Sequence, residues 1–463
     1  MNREEEYKQL LQALEKAVPA TQDTLTRAKM KNRRNKRVVR SLVGLAAVSL
    51  CFVVLVNFCS PVAYACSKIP VLRELAEAVT ISPSLTDAVE NKYVQPIDLQ
   101  QTDNGVTAKI EYLIVDQKQV NVFFRLSSNS YENLSAIPEV LQENGEAQSG
   151  YASTYSNFDT KNGQLQSITI DFIDSNVPES LRLHFNIEDN GARQAEKPTR
   201  EVSFEDSLFD EVPKEPNYVA NFDFLLEFDP TFTAQGKNIE INQTVTLGDQ
   251  QIKLTNMEIY PTHLRLNVED IPSNTAWLEQ LDFYIETDDG MKFDTISNGI
   301  SATGSENSPM MVSYRADSTY FYQADRLKIV ITGAQWLDKN MKTVHLNLVT
   351  GEADRMPDDT EIDEVTQKKN GWIITVRAKE RKKGTEETGA FYQVFMSSYY
   401  DPDGREGSID RWTSDSFNGE DGKEKGYFCE TFPLKDYPYH EVWLVPAFSH
   451  EWVAPDPIVT IVP

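Results

Sequence analysis

Two acidic loops, DPDGREGSID from Asp401 and NGEDGKEKG from Asn418, place side-chain oxygens densely enough to hold a hard cation such as calcium. Neither fits the full EF-hand spacing, and Asp-Gly in a loop is chiefly turn chemistry, so turns are the better reading. Three aromatic-rich stretches, YYDPDG, DYPYHEVW and SHEW, could line a ligand groove, although aromatic side chains buried in a sheet explain them more simply. The five histidines, His184, His263, His345, His440 and His450, are scattered singly, and His184, His263 and His345 fall in strand patterns. There is no nucleophile elbow, zincin helix, phosphate loop or dinucleotide fingerprint. No catalytic residue, metal ligand or cofactor is assigned, and a non-enzymatic chain is expected.

The elements that would position these residues are strands. Period-two alternation dominates from Val106 onward: Val120, Val122, Phe124 and Leu126 share one face, as do Leu181, Leu183, Phe185 and Ile187, and Leu264, Leu266 and Val268. Asn104-Gly105, Asn144-Gly145, Asn162-Gly163, Asp289-Gly290, Asn370-Gly371 and Asp421-Gly422 punctuate them as turns. A weak internal repeat, two alternating strands after a turn glycine, begins near Asn104, Leu247 and Asn370. The fold expected is mainly β, with tandem Ig-like β-sandwich modules. Acidic, proline-bearing linkers at EDSLFDEVPKEP and EADRMPDDTEIDE divide them into 93–230, 231–352 and a C-terminal β domain, 353–463.

The N-terminal part differs in charge and hydropathy. Up to Arg40 there are 11 basic and 5 acidic residues, a net +6, which leaves −32 for the remainder of a chain whose total is −26. That acidic bulk repels nucleic acid, so no direct nucleic-acid partner is expected. No charged residue occurs from Ser41 to Ser67, and residues 39–60 are long and apolar enough for a transmembrane helix. Arg33, Arg34, Lys36, Arg37 and Arg40 stand before the uncharged run as the topology signal, placing the N-terminus in the cytoplasm and the bulk outside. Ala63-Tyr64-Ala65 also fits a signal-peptidase site, but the charged lead is longer than a secretory n-region, which favours a retained anchor.

Within the cytosolic segment 1–38, Tyr7, Leu10, Leu11, Leu14 and Val18 recur at helical spacing and form a candidate partner-binding stripe. The competing reading is a juxtamembrane helix resting on anionic headgroups. Neither His nor Cys precedes residue 51, which excludes a zinc-bound cytosolic domain. The four cysteines, Cys51, Cys59, Cys66 and Cys429, show no disulfide framework. Residues 61–92 read as a short helical collar, packed on the first sandwich or on the membrane.

The basic tract and span, followed by Ile69-Pro70-Val71-Leu72, Ala88-Val89-Glu90-Asn91 with Tyr93, Gln95-Pro96, Asp103-Asn104-Gly105-Val106-Thr107 and Phe124-Arg125-Leu126-Ser127-Ser128, resemble the DUF4179 family over roughly 36–128. Residues about 225–345 resemble the DUF5643 module. The resemblance implies a Gram-positive, anti-sigma-factor-like cell-envelope protein with an Ig-like exterior, and it supplies no catalytic residues. The function expected is a single-pass membrane protein whose exterior senses or binds a ligand and whose cytosolic segment relays to, or sequesters, an extracytoplasmic-function sigma factor. The alternative is an anchored surface-adhesion protein without signalling.

Overall fold

The computed structural model describes residues 74–75, 78–79, 82–155, 162–173, 175–189, 218–233, 235–296, 312–379, 393–409, 415–418 and 427–462. The stripe from Tyr7 to Val18, the basic residues Arg33 to Arg40 and the 39–60 run lie outside them. Among the described residues, no helix is long and apolar enough to cross a membrane. The chain is mainly β, as its alternation requires.

The first module pairs two sheets. One has the order β1-β2-β3-β6-β5, from β1 (Gln95–Asp103), β2 (Val106–Val115), β3 (Gln119–Ser128), β5 (Tyr151–Tyr155) and β6 (Leu165–Phe172). The other is β4-β7-β8, from β4 (Leu134–Leu141), β7 (Ser180–Asp189) and β8 (Tyr218–Glu227). Val120, Val122, Phe124 and Leu126 from one sheet meet Leu181, Leu183, Phe185 and Ile187 from the other in one buried core, as period-two spacing dictates. The β1–β2 turn shows why Asn-Gly was a reliable signal. Asn104 and Gly105 both take positive φ, 47° and 77°, the two-residue geometry whose twist matches the strands it joins.

The second module combines β14-β11-β10-β9 with β13-β12-β15-β24. Its strands are β9 (Lys237–Leu247), β10 (Gln250–Ile259), β11 (Leu264–Asp270), β12 (Ala276–Thr287), β13 (Lys292–Asp294), β14 (Ser313–Ala316), β15 (Leu327–Asp338) and the final strand β24 (His450–Val462). The third module has sheets β16-β23-β19-β20 and β17-β18-β22-β21. They comprise β16 (Val344–Asn347), β17 (Thr360–Lys368), β18 (Gly371–Lys379), β19 (Phe395–Tyr400), β20 (Glu406–Ser408), β21 (Asp415–Asn418), β22 (Tyr427–Lys435) and β23 (Glu441–Pro446).

This topology corrects the expected C-terminal boundary. β24 leaves the 353–463 segment and pairs antiparallel with β15, from Leu327↔Val462 to Trp336↔His450. The third module is thus inserted between two strands of the second, and two chain crossings join them. Ser449 ties the crossings together: its amide and hydroxyl both donate to the Trp336 carbonyl, at 2.7 and 2.9 Å, and its hydroxyl oxygen accepts from the Asp338 amide at 2.9 Å. The physical reason is burial, because β15 carries apolar side chains along its whole length and a second neighbour strand shields its edge.

One helix is described at full length, α1 (Pro83–Glu90). Ser82 caps it by accepting from the Leu85 amide at 3.4 Å, and Pro83 occupies its first turn, where a missing N–H costs nothing. Its place differs from expectation, since α1 docks on the second module. The Ser84 hydroxyl donates to Asp317 at 2.9 Å and accepts from the Ser318 amide at 2.8 Å. The Tyr322 hydroxyl donates to Asp87 at 3.2 Å, and Tyr93 packs edge-on against Phe321. Ahead of the helix, Glu74 pairs with Arg125 of the first module.

Candidate functional site

Among the described residues, two places are built from chemistry-bearing side chains. The first lies where the first and second modules meet. The turn after β2 carries Asp116, whose Oδ1 accepts the amides of Lys118 and Gln119 at 2.9 and 2.8 Å. Its other oxygen points out of the first module and accepts the Thr262 amide at 3.1 Å and the Thr262 hydroxyl at 2.6 Å. Thr262 Oγ1 lies 2.8 Å from His263 Nδ1, and His263 Nε2 accepts from Arg265 Nε at 3.0 Å. The hydroxyl's single proton goes to Asp116, so His263 is neutral with its proton on Nδ1, donating to Thr262. Burial, then the nearby Arg265, Arg315 and Lys118, holds His263 well below its ordinary range.

The cluster continues to Asp171, whose Oδ1 receives Arg265 at 2.5 Å and Arg315 at 2.7 Å. Arg265 also donates to the carbonyls of Phe172 and Ile173, at 2.9 and 3.2 Å. Burial pushes the Asp171 and Asp116 carboxyls up; two guanidiniums pull Asp171 back, and hydrogen bonds from Thr262, Lys118 and Gln119 pull Asp116 back. Asp116, Thr262 and His263 together have the residue types of a nucleophilic relay, but the hydroxyl stands between acid and imidazole. All three are at most 2% exposed, so no substrate atom reaches the hydroxyl. The arrangement locks one module to the next.

Arg315 lies one residue before the end of β14, and α1 grips the loop that follows through Asp317 and Ser318. The Ser318 hydroxyl donates to the Tyr260 carbonyl, two residues ahead of Thr262. Collar helix, loop and junction therefore form one continuous hydrogen-bonded body.

The second place is an open cleft of about 290 Å³ on the third module, lined by Thr343, Tyr400, Asp401, Pro402, Gly404 and Trp443. Strand register builds it, because His345 pairs with Trp443 across β16–β23 and Tyr400 pairs with Trp443 across β19–β23. His345 stacks on the Trp443 ring, 4.6 Å between centroids and 22° from parallel. Asp401 spends Oδ1 on the amides of Asp403 and Arg405, at 2.9 and 2.8 Å, which is turn chemistry as expected from Asp-Pro-Asp-Gly. Among the described residues no group of three or more His, Cys, Asp or Glu side chains is placed to hold a metal ion. Residues 419–426 of the second acidic loop lie outside the described residues.

The aromatic stretches divide between the two readings made of them. Tyr437 is buried in the core cluster, whereas Tyr400 and Trp443 face the cleft. His263 and His345, which fall in strand patterns in the sequence, belong to the junction and to the stack on Trp443 respectively. The missed signal was Thr262-His263 just ahead of β11 with Arg265 on it, polar residues set beside the apolar alternation of Leu264, Leu266 and Val268.

Residues 33–128 match a family model described as "Domain of unknown function (DUF4179)", and residues 236–363 match "Family of unknown function (DUF5643)". Both families and their order are those the sequence motifs suggested. No curated protein matches the chain. A solved structure described as the conserved domain protein from Bacillus anthracis is similar at 14% identity and a TM-score of 0.37, covering 55% of this chain and 82% of that one.

Proposed function

We propose that this chain is a single-pass cell-envelope protein whose exterior of Ig-like sandwiches binds a ligand and relays its state across the membrane to a cytosolic partner. Residues 39–60 supply the transmembrane helix, with Arg33, Arg34, Lys36, Arg37 and Arg40 on the cytoplasmic side. Tyr7, Leu10, Leu11, Leu14 and Val18 form the apolar stripe for that partner, an extracytoplasmic-function sigma factor in this reading. The charge contrast of +6 before Ser41 and −32 after it supports the topology.

The observation that carries the relay is the docking of α1. The helix that follows the apolar run in sequence is bonded through Ser84 and Asp87 to the second module, which the Asp171 cluster locks to the first. A displacement of either module moves α1 with it, rather than being absorbed in a loose tether.

The deciding experiment puts one tag at each end of the full chain and applies protease to intact cells. A full-length species with a digested C-terminus and a protected N-terminus supports the reading; a mature form lacking residues 1–65 ends it. Capture of no sigma factor by residues 1–38 would remove the signalling half and leave the adhesion alternative.

A further inference from the structure

We infer that the cleft beside Trp443 is a binding site for a neutral saccharide. The inference stands apart from the relay, since it rests on the third module alone and needs neither the anchor nor the cytosolic segment.

The three side chains His345, Trp443 and Tyr400 come from neighbouring strands at matched register, so they form a row on the outer face of one sheet. Outward placement is fixed by alternation, because Val442 and Leu444, on either side of Trp443, are fully buried. An aromatic row on an outer sheet face contributes nothing to the core beneath it. His345, stacked at 4.6 Å, holds the Trp443 ring in one orientation before any ligand arrives. The rim is set as well: Gly404 takes φ 76° and donates its amide to the Asp401 carbonyl at 2.9 Å.

The chemistry of the walls selects the ligand. A pyranose presents a flat C–H face, which gains dispersion against an aromatic ring, and a belt of hydroxyls that both donate and accept. The cleft lining supplies the matching residue types, the aromatic rings of Trp443 and Tyr400 together with the hydroxyl-bearing Thr343 and Tyr400. A volume of about 290 Å³ is at the small end of ligand pockets and suits one sugar ring, with further units running over the row.

Charged ligands fit less well. The loop's cation, Arg405, is already paired with Asp403 at 3.2 Å, and the surrounding Asp401, Asp403 and Glu441 repel phosphate. For a cation, the floor carboxylate is committed: Asp401 serves two amides and faces Arg405 at 4.0 Å. Glu441 faces His345 at 3.8 Å.

The test uses the full-length chain in a detergent without a sugar headgroup, probed with cellohexaose and chitohexaose by saturation-transfer NMR and titration. The expected result is millimolar or tighter binding of at least one of them, weakened about tenfold or more by Trp443→Ala and by Tyr400→Ala. Trp443→Phe, which keeps a ring and the fold, should retain part of the affinity, so that a misfolded alanine variant does not decide the matter. Binding of neither oligosaccharide at millimolar concentration overturns the proposal. So does saccharide binding indifferent to Trp443→Ala, or binding of tetralysine in place of both sugars.

Discussion

The Thr262 hydroxyl donates to Asp116 Oδ2 at 2.6 Å across the boundary between the first and second modules, and both groups are sealed from solvent. A hydrogen bond to a buried carboxylate is charge-assisted and costly to leave unmade. Through His263 and Arg265 it connects to Asp171, so polar groups on two modules are satisfied only when the modules are docked. Two sandwiches with separate cores are thereby made to behave as one body.

Asp171→Ala tests the strength of that lock. It leaves Arg265 and Arg315 buried against each other without their shared carboxylate, and breaking a buried pair this way costs about 3–5 kcal/mol. The expected outcome in denaturant is a single transition splitting into two, as the modules uncouple; a wild-type curve would show the cluster to be dispensable.

Protonation of His263 gives a signed pH effect. Its folded pKa is depressed, whereas the unfolded imidazole takes a proton near about 6.5, so its contribution is present above that pH and lost as pH falls below it. The buried Asp116 and Asp171 have raised values and act the other way, starting from the ordinary carboxylate range near about 4. Thermal melts of wild type against His263→Asn isolate the imidazole. The wild type should lose stability relative to the variant between about pH 7.5 and about pH 5.5.

Glu279 carries the opposite sign over an overlapping window. It stands at a β-bulge between Leu278 and Gln280, its Oε1 is buried without a hydrogen-bond partner, and burial pushes its carboxyl up to about 8. The folded state therefore keeps a proton that the unfolded chain gives up near 4.5, and stability is lost as pH rises from 4.5 toward about 8. Glu279→Gln should raise the melting temperature at pH values above that window and leave it nearly unchanged below it.

Deletion of residues 450–462 separates two topologies. Because β24 covers β15, truncation should expose Ile329, Ile331 and Trp336 and unfold the second module, with aggregation and rapid proteolysis of 237–338. A self-contained C-terminal module would instead leave 237–338 resistant to protease.

The strands, the Asn-Gly turns, the families and the faces of β3, β7 and β11 were legible in the chain because each is a local property. Side chains alternate every residue in a strand, and a two-residue turn must take positive φ, so a few adjacent residues carry the signal. Asp401 at its turn was legible for the same reason. Trp443 was visible as an aromatic that either lines a groove or is buried in a sheet, and local sequence did not choose between the two, because its exposure depends on which strands flank it.

The amino-acid sequence by itself determined a mainly β fold from Val106 onward, its acidic charge and the contrast with the basic, apolar N-terminal part. Tertiary structure alone decided that β24 returns to β15, that α1 docks on the second module, and that Asp116 meets Thr262. These partners are separated by 113 residues for Ser449 and Trp336, 233 for Ser84 and Asp317, and 146 for Asp116 and Thr262. No local period encodes such pairings. They are selected by what must be covered when separate elements come together, an apolar strand edge for β24 and β15, a half-buried carboxyl for Ser84 with Asp317 and a buried one for Thr262 with Asp116.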